Sequence, residues 1–140
     1  MIYHCIRFSV KPDADPQEVA TALGRMAEAT SQITTATPLV FGPDIGGEYD
    51  YAGISTVETL EEYETMMNHP AHLEVDRIGL PLVDKFVSYD VTDDPDPAVA
   101  AKIAAIHQRR YENEPDIADL VGGLEDYTGS AAPAGAEPTS

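Results

Sequence analysis

Apolar and polar side chains alternate at the start of the chain. Ile2, His4, Ile6, Phe8 and Val10 fall on one face, and Tyr3, Cys5, Arg7 and Ser9 on the other. A period of two predicts a half-buried strand with a histidine on its apolar face. Lys11 to Ala14 is a turn. Asp15 as cap, Pro16 behind it and Glu18 open a helix that runs to about Ser31, with Val19, Leu23 and Met26 at helical spacing. Thr34 to Phe41 is β-branched and apolar, a second strand that Pro38 assigns to an edge or a bulge. Gly46-Gly47 makes a loop, and Tyr49 to Ser55 a third strand. Ser55 with Glu58 has the capping-box pattern and opens a second helix carrying Leu60, Tyr63 and Met67 on one side. Asn68-His69-Pro70 interrupts it. A shorter helix then runs from Pro70 to near Pro81, and Lys85 to Val91 alternates as a fourth strand.

The order β-α-β-β-α-β over residues 1–92 predicts an α+β, ferredoxin-like domain. Its sheet carries helices on one face, and the other face requires cover, most simply from a second copy in a homodimer. Asp93-Asp94-Pro95-Asp96-Pro97 is an acidic joint. Beyond it, a helix from about Ala98 to Tyr111 bears a narrow stripe of Val99, Ile103 and Ile106 that needs a surface to dock on. A weaker helix spans Asp116 to Leu124. Residues 93–127 therefore read as a helical extension, and 128–140, small, polar and Pro-containing, as a disordered tail.

Length and composition narrow the function classes. The 140 residues suit one domain, and no apolar run reaches the ~18 residues of a membrane span. No basic, apolar-cored signal segment stands at Met1, and the single Cys5 forms no internal disulfide, so a cytoplasmic location is expected. Eight Lys+Arg against 25 Asp+Glu leave a net charge of −17. Nucleic acid and anionic membrane are excluded as partners, because both would be repelled.

The sharpest local feature is His69-Pro70-Ala71-His72, to be set beside His4. His72 falls in the first turn of its helix, where the helix dipole disfavours the imidazolium and leaves a neutral ring able to act as a general base. The net negative charge favours protonation instead. Plainer roles stand beside these: His4 as a hydrogen-bonded core histidine, His69 as a helix cap, His72 bonded to a backbone carbonyl, His107 at the surface. A metal site would need His4, His69 and His72 with Asp76 or Glu74, but Pro70 restricts how the rings converge, so no metal and no cofactor are expected. Neither HExxH, CxxC nor GxSxG occurs, and no lysine follows the Gly42–Gly47 loop to hold phosphate. Met26, Met66 and Met67 are core filling, or the adaptable wall of a cavity. Tyr51 and Tyr63 are packing residues, or hydroxyl donors to a substrate oxygen.

His4 within Tyr-His-Cys-Ile-Arg-Phe, Val57-Glu58-Thr59-Leu60 with Tyr63, His69-Pro70-Ala71-His72 and Phe86-Val87-Ser88-Tyr89-Asp90 together resemble the stress-responsive dimeric α/β-barrel family, whose members include a plant polyketide cyclase. The resemblance covers residues 1–92. It implies a homodimer whose two sheets close into a barrel, with a cavity between each sheet and its own helices. It also implies His72 as base and His4 as orienting group, with Met26 and Met66 where the cyclase has pocket tyrosines; Tyr51, Tyr63 and His69 are further candidates about the substrate. Two cyclase tyrosines are replaced here by Met66 and Met26, which puts the cyclase's own substrate in doubt. The expected function is a cofactor-independent, cyclase- or isomerase-like enzyme acting on a small apolar or polyketide-like carbonyl compound. The alternatives are a non-catalytic dimeric stress or ligand-binding protein and a cofactor-free monooxygenase.

Overall fold

The computed structural model describes residues 1–132. Strand β1 (Ile2–Val10) lies at the centre of a five-stranded sheet. Helix α1 (Pro16–Gln32) is followed by β2 (Thr37–Pro43), β3 (Tyr51–Val57), α2 (Leu60–Asn68), α3 (Pro70–Gly79), a short 3-10 turn and β4 (Val83–Thr92). The strand order is β2-β3-β1-β4-β5, with β1 antiparallel to both β3 and β4. The domain is the expected ferredoxin-like α+β fold.

Two boundaries differ for physical reasons. The second helix is capped by Thr59, whose hydroxyl accepts from the Glu62 N–H, and not by Ser55. Ser55 to Val57 are held in the sheet by pairing with β1, Ile2 opposite Val57, and pairing overrides the local capping pattern. Beyond β4 the extension forms α4 (Val99–Asn113) and α5 (Pro115–Gly122), and then a fifth strand, β5 (Asp126–Gly129), parallel to β4. The expected disordered tail began at Thr128, yet Thr128 and Gly129 are paired with Val87 and Ser88. Gly129 permits this approach: its φ is +113°, and a Cβ there would lie 1.6 Å from the Ser88 carbonyl oxygen. Residues 133–140 of the expected tail lie outside the described residues.

Val99, Ile103 and Ile106 are buried against Ile2, Val57, Tyr63, Met66 and Met67, so α4 docks on its own protomer along its apolar stripe. A second cluster joins Leu73 and Leu80 to Ile117, Val121 and Tyr127 of the extension. Helices thus cover one sheet face. On the other, Val40, Tyr89 and Val91 are exposed around buried Cys5.

Candidate functional site

The Asn68-His69-Pro70-Ala71-His72 segment builds a tight junction between α2 and α3. Pro70 occupies the first position of α3, where its missing N–H costs nothing, and His69 caps that helix by accepting the Ala71 N–H at Nδ1 (3.1 Å). His72, one turn in, reaches back to the last carbonyls of α2, with Nδ1 3.2 Å from both the Met66 and Met67 oxygens. Carbonyls only accept, so Nδ1 carries the proton and the Nε2 lone pair is left free. Nε2 lies 3.8 Å from Asp76 Oδ1, one helical turn on. Burial first, then the charges of Arg110 and His4, pushes the His72 pKa down to about 3. The ring is neutral at pH 7.

His4 stands opposite Asp90 in the β1–β4 register, and its Nδ1 is 2.8 Å from Asp90 Oδ1. Asp90 Oδ2 accepts from the Tyr63 hydroxyl (2.9 Å) and the Ser130 hydroxyl (2.5 Å). Burial raises the Asp90 pKa, but these bonds from His4, Ser130 and Tyr63 outweigh it and hold the carboxyl below its ordinary range. The Tyr63 oxygen is also 2.7 Å from His107 Nε2. Tyr63 donates its one proton to Asp90, so His107 Nε2–H donates to Tyr63, leaving the buried Nδ1 of His107 without a partner among the described residues. Burial accordingly lowers the His107 pKa to about 4.

Between the sheet and the helices lies a cavity of about 150 Å³. His4 and His72 both line it, with Met26, Met66, Ser88 and Phe86. Three residues expected about the substrate lie elsewhere. Tyr51 packs on Phe8 and Phe41 at another part of the sheet, and Tyr63 is wholly buried behind Asp90. His69 faces the α3 N-terminus as its cap, which also takes it away from the ligand set a metal would need. Among the described residues no three metal-ligating groups converge.

The remaining wall comes from the extension, which the sequence reading left outside the site. Arg110, Tyr111, Val121, Tyr127 and Ala131 all line the cavity. Arg110 forms an ion pair with Asp76 and is 3% exposed. Tyr127 reaches Ser88 Oγ at 3.1 Å. His107, expected at the surface, is 2% exposed because α4 turns it toward Tyr63. The sequence reading did not single out Asp90, although its alternation with Phe86 and Ser88 was the signal that could have placed it on the helix-covered face. Arg110 had no such signal, since its place depends on how α4 docks.

No curated protein matches the chain in sequence. Among the solved structures that share the fold are proteins from Thermobifida fusca, Mesorhizobium loti and Passiflora edulis. A dimeric ferredoxin-like protein of unknown function from Thermobifida fusca is 21% identical with a TM-score of 0.59, over 65% of this chain and 89% of its own. A Dabb family protein from Mesorhizobium loti is 22% identical with a TM-score of 0.59, over 66% and 96%. A hydroxynitrile lyase from Passiflora edulis is 14% identical with a TM-score of 0.59, over 68% and 94%. No helix among the described residues is long and apolar enough to cross a membrane. The histidine pair, the HPxH junction and the antiparallel core fall within residues 2–93, which match the Stress Responsive A/B Barrel Domain, and the chain belongs to that family.

Proposed function

We propose that this protein is a cofactor-independent enzyme that removes an acidified C–H proton from a small carbonyl compound, with His72 as the general base. One observation carries the reading. The His72 Nδ1–H is committed to the α2 carbonyls, which leaves a neutral Nε2 lone pair on a residue that borders an apolar cavity with His4 across it. His4, oriented by Asp90, holds the substrate. A hydroxynitrile lyase of the same fold lends support to an enzyme reading.

The cavity also limits the substrate. A space of about 150 Å³ accepts a molecule of roughly benzene size, so a long polyketone chain exceeds it. Burial that keeps His72 neutral also makes it a weak base, so the proton must come from an acidic position such as the carbon between two carbonyls. A small, neutral 1,3-dicarbonyl compound meets both demands.

Acetylacetone serves as the probe. Deuterium exchange at its central carbon, followed by proton NMR near pH 5 against a protein-free blank, should run faster with the protein. His72→Ala should lower the excess rate by ~10²–10⁴-fold with the circular dichroism unchanged, and His4→Ala by less. Exchange no faster than the blank, or a folded His72→Ala that keeps the full rate, would overturn the proposal.

The neighbours described as dimeric, together with the exposed apolar residues of the open sheet face, support a homodimer formed through that face. The single buried thiol of Cys5 supports a reducing, cytoplasmic setting.

A further inference from the structure

Arg110 is a buried cation beside the proposed base, and it comes from a helix outside the family domain. Arg110 lines the cavity, and its Nε is buried with no hydrogen-bond partner among the described residues. A buried guanidinium is costly unless each of its donors is met, and the Nε–H is a donor that no group among the described residues meets. Asp76 joins the two groups. One of its oxygens is paired with Arg110 and the other lies 3.8 Å from His72 Nε2, so base and cation flank a single carboxylate. The hydroxyl of Tyr111 faces the same guanidinium and donates to the Ala131 carbonyl.

We propose that Arg110 is the electrophilic group of the site, its Nε–H donating to the substrate's carbonyl oxygen as that oxygen becomes an enolate. The inference rests on the general-base reading above and names the group that reading lacks. The step balances. The C–H proton moves to His72 Nε2, the C–H electron pair becomes the C=C bond, and the carbonyl π pair moves onto oxygen. No redox partner is involved.

The charges balance as well. In the resting site Asp76 neutralises Arg110, so there is no spare positive charge for a substrate that arrives as a carboxylate, and the substrate enters neutral. As the proton transfers, Asp76 faces the new imidazolium and Arg110 faces the new oxyanion. The penalty that burial sets on a charged His72 is thereby met by charge created beside it, in surroundings that need no reorganisation.

The experiment uses 4-nitrophenol, whose oxygen mimics an enolate and whose ionised form absorbs visible light. It enters neutral and gives its proton up inside. At a pH below its own pKa, the wild type should bind it largely as the phenolate. Arg110→Lys keeps the charge against Asp76 but removes the Nε–H, and it serves beside Arg110→Gln because the latter leaves Asp76 buried and unpaired. Either variant, if folded, should reduce the ionisation constant of the bound probe at least about tenfold and acetylacetone exchange by ~10²–10³-fold. Failure of the wild type to bind the probe, binding as neutral phenol, or unchanged ionisation in folded Arg110→Lys overturns the assignment. If exchange fails while Arg110-dependent phenolate binding persists, the base reading falls and Arg110 stands as an oxyanion-binding group only.

Discussion

Two histidines, His107 buried and His72 half-buried, make this protein respond to acid. The pKa of His72 is pushed down to about 3, and that of His107 to about 4, in both cases chiefly by burial. In the unfolded chain each titrates near its ordinary value of ~6.5. The folded state therefore binds fewer protons than the unfolded state across that interval. Stability from these groups is fully present above about pH 6.5, declines as pH falls, and is exhausted near pH 4 for His107 and pH 3 for His72. At pH 5 the loss is at most about 2 kcal/mol for each. Denaturant midpoints measured at pH 7 and pH 5 should differ accordingly, and His72→Gln should flatten the dependence. Equal midpoints at the two pH values would contradict the burial of these rings.

At the scale of elements, the family domain and its extension are interdependent. The matched structures account for 65 to 68% of this chain and 89 to 96% of their own length, close to the share that residues 2–93 occupy here. The extension buries Val99, Ile103, Ile106, Ile117, Val121 and Tyr127, and it covers Tyr63, Met66 and Met67 of the domain. Burying one such side chain contributes ~1.5–3 kcal/mol, so truncation after Thr92 should cost more than many domains of this size can lose. We expect the truncated chain to melt far lower and to lose acetylacetone exchange, since Arg110 leaves with it. An unchanged melting curve would show that the docking contributes nothing.

This division also explains what the sequence made legible. Period-two alternation exposed β1 and β4, and Pro70 with His69 marked the α2–α3 junction, because those signals are local. The stripe of Val99, Ile103 and Ile106 disclosed that α4 must dock. It did not disclose the angle, and the angle determines that His107 meets Tyr63 and that Arg110 meets Asp76. Strand β5 gave no pattern of its own, since four residues ending in Gly129 are ordered by β4 and by the fit of a glycine against Ser88.

At the scale of the whole molecule, two opposing forces decide whether chains pair. The open sheet face presents Val40, Tyr89 and Val91 at 58, 42 and 52% exposure, set around Cys5 and beside the Arg7–Asp44 ion pair. Covering this face removes apolar surface from water and favours association. Against it, each chain carries a net charge of −17, and two like-charged chains repel over distances comparable with the Debye length. Salt screens the repulsion and leaves the apolar term in place, so the homodimer should tighten as ionic strength rises. Sedimentation equilibrium at micromolar concentration should return about twice the 15.1 kDa of one chain, with the dissociation constant falling as salt is added. Val91→Lys should shift the population toward single chains, because it sets a charge within the covered face of each copy. A mass near that of one chain at every ionic strength would leave the open face without a second copy to cover it.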